Sequence, residues 1–236
     1  MMVHRQDCLC HGREICSRTM ATNSGIEVTL RGKQVVLVPL RSEHVDALAE
    51  ASGEARASGD AEIYKWSPVP QTRDEVASYV ASALSGRDAG TMVPFATTRA
   101  SDGRVIGSTR FCFTDRWAWP ARHPRYGNPF PDVCEIGYTW LARSAVRTAA
   151  NTEAKLLMLA HAFETWKCVG VCLHTDIRNE RSRAAIERIG GKLDGILRAH
   201  RMASDFIPRD SARYSIVAAE WPQVRERLLS KLGTNS

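Results

Sequence analysis

No apolar stretch in this chain approaches the roughly 18 residues that a helix needs to cross a bilayer. Charge interrupts each one well before that length. The opening residues lack an apolar run of about 7–15, which argues against a secretory signal. No internal repeat appears, so an array of copied units is excluded. Acid is in the minority: 26 Asp and Glu face 32 Lys and Arg, a net charge of +6 with a pI near 9.1. A basic surface favours anions without choosing among nucleotides, phosphates, acidic proteins and nucleic acid. What is present is 44% hydrophobic content over 236 residues, enough for one α/β domain with a sizeable core.

The seven cysteines are an odd number and give no paired framework. Cys112, Cys134, Cys168 and Cys172 sit in or beside apolar stretches, where buried free thiols in a reducing cytosol are the ordinary state. A cytoplasmic location is expected. Cys8, Cys10 and Cys16 join His11 in the opening segment. Their spacing, C-x-C-H-x4-C, matches no common structural zinc pattern, so no metal is expected. Residues 1–25 read as a disordered leader and 26–236 as a single domain.

Residues 34–40 (QVVLVPL) read as a strand. Ser42 is the expected N-cap of a helix that breaks near Gly53 and Gly59. A second helix is predicted over 72–84, where Thr72 and Glu75 form a capping box. Strands over 93–99 and 104–114 flank the turn Ala100-Ser101-Asp102-Gly103, a hairpin signal. Residues 115–133 hold four prolines and four aromatics. They read as a long ordered loop, either a lid or an insertion packed by its own rings. A strand over 134–142, a polar loop and a helix over 151–167 follow. His161 on that helix reads as a packed histidine. The remainder reads as a strand over 170–175, a helix over 179–189 stopped by Gly190-Gly191, a hairpin over 192–218 and a last helix over 222–232. Interleaved strands and helices give an α/β or α+β class with a mixed sheet.

The strand, loop and helix over 135–166 carry the chemistry. Small residues Thr148, Ala149, Ala150, Asn151 and Thr152 lead into the long helix, whose first amides have no partner inside it. An anion can approach those amides closely, and Arg143 and Arg147 add positive charge. The unit is a cradle sized for a phosphate or pyrophosphate.

The order of elements resembles the GNAT acetyltransferase superfamily. EIGYTWL, NTEAKLLML, HTD-x-x-NERSRAAIERIG and GILRAH are similar to the branch containing the ribosomal-protein N-terminal acetyltransferases, and the match spans roughly residues 30–220. The resemblance implies a mixed, mostly antiparallel sheet of about seven strands, splayed at the cofactor site, with flanking helices. It implies acetyl-CoA as cosubstrate and a primary amine, on a protein N-terminus or a small molecule, as acceptor. The family's phosphate loop, Q/R-x-x-G-x-G/A, falls on residues 146–151 (VRTAAN), which lack both glycines. Ala149 can serve if its φ stays negative, and Asn151 tolerates a left-handed backbone.

By the same resemblance, Thr139, Trp140 and Leu141 contact the pantetheine arm through their backbone. Arg143, Arg147 and residues Thr148 to Asn151 hold the phosphates. Asn179 touches the cofactor arm. Ser182 stands near the CoA sulfur as the acid, since the Tyr that many members place further along that helix is missing. Both Asn179 and Ser182 also suit simple helix capping. Glu135 is the candidate base, directly or through water, with a structural carboxylate as the other reading. His174 and Asp176 are weaker candidates, Asp176 as a cap of the following helix. Two further readings stand beside catalysis: a non-catalytic acyl-CoA-binding module, and a nucleic-acid binder using the aromatic loop. No recognised nucleic-acid motif appears, so that partner is disfavoured. A homodimer is left open, and no membrane partner is expected.

Overall fold

In the computed structural model, which describes residues 27–67, 69–203 and 205–233, the apolar runs pair into one eight-stranded sheet of order β1-β2-β3-β4-β5-β6-β8-β7. The strands are β1 Leu30–Arg31, β2 Val35–Pro39, β3 Met92–Arg99, β4 Val105–Asp115, β5 Val133–Leu141, β6 Gly170–Asp176, β7 Lys192–Met202 and β8 Pro208–Val217. All neighbours are antiparallel except β5 and β6. The sheet therefore has one strand more than expected. The extra strand, β1, has two residues, too few to leave a period in the sequence.

The helices are α1 Val45–Ala57, α2 Arg73–Asp88, α3 Ala150–Ala160, α4 Glu180–Arg188 and α5 Trp221–Gly233. Tyr79 of α2 meets Ser108 of β4, whereas Met158 of α3 meets the next residue, Thr109. Successive side chains of a strand point to opposite faces, so α2 and α3 cover opposite sides. α1 packs with α2, and α5 with α3. Among the described residues no helix is long and apolar enough to cross a membrane. The leader expected over 1–25 lies outside the described residues.

Local chemistry explains most boundaries. Thr72 Oγ1 accepts the Glu75 amide at 3.2 Å, and the Glu75 carboxylate reaches back to the Thr72 amide at 3.2 Å. Ser42, by contrast, is not a cap. It lies inside a 3-10 turn, and His44 Nδ1 accepts the Arg41 amide instead. Gly53 does not break α1, which runs on to Ala57 and turns at Gly59 with φ +71°. The helix after the cradle ends as a π-turn over His161–Thr165. That turn lodges the His161 ring against Phe111 and Trp166, so it is a packed histidine.

The 116–132 segment is an ordered loop tied down from within. Asp132, 2% exposed, accepts the Trp117 amide at 2.7 Å, the Trp119 indole N–H at 2.8 Å and Arg125 Nε at 2.7 Å. Trp119 stacks on His123 with centroids 4.0 Å apart. Burial alone would raise the Asp132 pKa, but these donors outweigh it and hold it below the ordinary 3.8. A folded pKa below the unfolded one gives stability that is present above the unfolded pKa and lost as pH falls through the folded value. Asp132→Asn is therefore expected to cost about 2–3 kcal/mol at pH 7, and less below pH ~3.8. Thermal melts of both proteins between pH 3 and 7 check this; a constant gap would refute it.

Candidate active site

β5 and β6 pair only where Val133, Cys134 and Glu135 face Gly170, Val171 and Cys172. Past Glu135 the two strands part. The register of β5 on β4 also slips between Arg110 and Ser108. Tyr138 absorbs the slip with φ +53°, a left-handed conformation that costs energy for any residue but glycine. This bulge lies three residues past Glu135, where β5 has left β6. The residues beyond it are those expected to contact the pantetheine arm. Thr139 Oγ1 lies 2.7 Å from Thr109 Oγ1 and accepts Lys155 Nζ at 2.6 Å. Burial pushes the Lys155 pKa down to about 7. Trp140 is buried, and the Leu141 carbonyl accepts the Tyr64 hydroxyl at 2.7 Å. Tyr64 thus leans on the end of β5, while Arg181 of α4 donates to the neighbouring Ile63 carbonyl.

β5 leads through a short turn to the start of α3. Ala149 is its N-cap, at φ −68° and ψ −13°. That is ordinary helical backbone, so an alanine replaces glycine without strain. Asn151 lies inside the first turn and needs no left-handed geometry. The left-handed residue of the loop is Arg147, at φ +65°. The amides of Arg147, Thr148, Ala149, Asn151 and Thr152 donate to no acceptor among the described residues. Thr148 Oγ1 donates to the Ala145 carbonyl and accepts the Ala150 amide, bracing the turn. The two expected arginines separate here. Arg143 is drawn away from the cradle by Asp60, 2.5 Å from its Nε. Arg147 is exposed and keeps its charge for the cradle.

Asn179 is buried and caps α4: its Oδ1 accepts the Ser182 amide at 3.0 Å. Its Nδ2 stays uncommitted among the described residues. Ser182 is half-buried one turn into the same helix. Asp176 is not a cap. Its carboxylate takes the Arg178 amide and guanidinium at 2.7–2.9 Å, because the turn folds Arg178 back onto it.

Glu135 sits where the strands part, its side chain 3% exposed. One oxygen lies 2.9 Å from Arg201 Nη2 and 3.0 Å from His174 Nδ1. The other accepts Arg201 Nη1 at 3.3 Å. Burial by itself would raise the Glu135 pKa, but His174 and Arg201 outweigh it and hold it below 4.5. Such a carboxylate is a weak base with both oxygens in use. The 3.0 Å approach to His174 Nδ1 is not a hydrogen bond: that nitrogen is buried without a hydrogen-bond partner among the described residues. His174 also lies 5.0 Å from the His200 ring. Cys172 completes a group whose ligand atoms fall within 4.8 Å of one another. Arg201 already neutralises the carboxylate, and burial pushes the Cys172 thiol up to about 11.

Arg201, Tyr64, Lys155 and Arg110 escaped the reading of the sequence. Arg201 and Tyr64 lie far from β5 in sequence and carry no local pattern. Arg110 and Lys155 did leave a signal: each is a lone cation in an otherwise apolar or small-residue run.

Residues 34–192 match the family model described as an acetyltransferase (GNAT) domain. No curated protein matches the sequence. Among solved structures, the chain is similar to a GCN5-related N-acetyltransferase from Brucella melitensis, with 25% identity and a TM-score of 0.70 over 88% of this chain and 86% of that one. It is also similar to an acetyltransferase from T. thermophilus, with 28% identity and a TM-score of 0.68 over 88% and 98%. Mycobacterium smegmatis RimJ, solved with CoA-disulfide, shares the fold at 22% identity and a TM-score of 0.67 over 87% and 93%. With the family model matching more than half its length, the chain belongs to the GNAT acetyltransferases.

Proposed function

We propose that this protein transfers an acetyl group from acetyl-CoA to a primary amine by direct attack. The observations that carry this reading are that β5 leaves β6 past Glu135, beside His174, and that the amides opening α3 have no acceptor among the described residues. Acetyl-CoA supplies an activated thioester. The α3 amides and Arg147 hold its phosphates. The backbone of Thr139, Trp140 and Leu141 lines the arm, and Asn179 Nδ2 reaches an arm carbonyl. A β5 amide near the bulge stabilises charge on the acyl oxygen. His174, with the Glu135 carboxylate 3.0 Å from its Nδ1, takes the proton from the attacking amine. As the N–C bond forms and the C–S bond breaks, Ser182 donates its hydroxyl proton to the departing thiolate and regains one from water. The buried free thiols suit a cytoplasmic setting.

Thiol release from acetyl-CoA, measured against a panel of amines and N-terminal peptides, tests the reading. Acetyl-CoA binding with no transfer to any of them would leave only the acyl-CoA-binding module. The two arginines give a finer check. Arg147→Ala is expected to weaken acetyl-CoA binding about tenfold, one lost charge-assisted contact of about 1.4 kcal/mol. Arg143→Ala should change it less than about twofold, since Asp60 holds that side chain. Calorimetry showing the reverse order would sink the assignment.

A further inference from the structure

Arg110 projects from β4 onto the α2 face, the face that also carries Cys112 and Glu135. It is 2% exposed. Its guanidinium is sandwiched between two rings, 4.5 Å from the Tyr79 centroid and 4.0 Å from the Tyr138 centroid. Nη1 points at Met92 Sδ, 3.4 Å away. Nε and Nη2 are buried and have no acceptor among the described residues. These two atoms form one edge of the guanidinium, whose parallel N–H bonds match the two oxygens of a carboxylate. A buried charge with such donors unpaired is costly. Tyr79 also packs edge-on against Trp140, at 6.5 Å, and the Trp140 indole N–H is likewise buried without an acceptor. The unmet groups around Tyr79 are therefore all donors, and they call for a ligand that only accepts.

The position fits an acceptor site. Arg110 pairs with Gly137, next to the Tyr138 bulge, one strand spacing of about 4.8 Å from the β5 edge that β6 has left. Tyr138 is the solvent-side wall of the sandwich. It is 40% exposed and held in a left-handed backbone.

We propose that the amine acceptor carries a carboxylate, and that Arg110 binds it side-on through Nε and Nη2. This rests on the transfer reading above and names its substrate class. Arg110 is then a specificity residue, and Tyr138 its cover.

The test uses amino acids whose amine and carboxylate are one to four carbons apart, each beside its neutral amide. For at least one pair, kcat/KM should favour the acid by about 100-fold, the value of a desolvated bidentate contact. Arg110→Met should bring that ratio near one. Arg110→Lys, which keeps the charge but loses the fork, should lower it at least tenfold. Circular dichroism and acetyl-CoA binding report whether each variant folds, and the lysine variant is decisive where the methionine variant does not. Calorimetry of N-acetylated acids and their N-acetylated amides on the CoA-loaded protein reads the same preference without turnover. Acid binding that depends on Arg110, with no transfer to any amine, supports this site and refutes the transfer reading. Transfer with amides used as well as acids, or an acid preference that survives Arg110→Lys, overturns it. So does preference for phosphoethanolamine over every carboxylate.

Discussion

His174→Ala is expected to lower kcat/KM about 100-fold with acetyl-CoA affinity unchanged, the loss typical of removing a general base. The imidazole sits where β5 and β6 part, its Nδ1 3.0 Å from the Glu135 carboxylate. Glu135→Gln should cost about tenfold, because the amide fills the same space but no longer supports a charged imidazole. The Glu135 pKa is held below 4.5 by His174 and Arg201, so its charge is present at every pH above ~4.5. The Gln variant should therefore be impaired by a similar factor from pH 6 to 9. The double variant should lose little more than His174→Ala alone, since residues acting as one unit are not additive. Steady-state thiol release measures all three. A larger loss from Glu135→Gln than from His174→Ala would make Glu135 itself the base and reduce His174 to packing.

The largest stability effect should fall on Glu153, in the first turn of α3. Its carboxylate is buried and accepts three backbone amides of the β1–β2 turn: Lys33 at 2.9 Å, Gln34 at 2.6 Å and Val35 at 2.8 Å. These contacts pin the helix that begins the cradle to the edge of the sheet. Glu153→Ala strands three donors, and each hydrogen bond to a charged group is worth about 1.5–3 kcal/mol. Because water reaches part of the turn, a total loss of about 3–4 kcal/mol is expected. Gly32 supplies a cross-check. A Cβ built there falls 2.3 Å from Glu153 Oε2, so Gly32→Ala should cost about 2 kcal/mol in the parent. In the Glu153→Ala background the obstruction is gone, and the same change should cost less than about 0.5 kcal/mol. Urea unfolding of the four proteins reads the coupling. Additive losses would show that Gly32 and Glu153 do not act on each other.

Much of the fold is legible in short stretches of the sequence. The Thr72–Glu75 box, the Asp102-Gly103 hairpin and the Asn179 cap are signals confined to a few neighbouring residues, and each formed as read. Ser42 and Gly53 misled because tertiary contact outweighs weak local preference: α1 packs on β4 and continues through its glycine. The cradle was legible as a run of small residues before a helix. Its strained position was not, since the left-handed φ moved to Arg147.

By itself, the sequence determined the order of elements, the family likeness and the cradle's place in the chain, because these depend on neighbours within one or two turns. Only the tertiary structure decided which charges meet. It took Arg143 away to Asp60, brought Arg201 from β7 onto Glu135 and turned His174 toward the same carboxylate. It also buried Arg110 between two tyrosines with its fork unmet. Such pairings join residues up to 83 positions apart. They are set by where strands part and which face each side chain takes, and no local pattern encodes either.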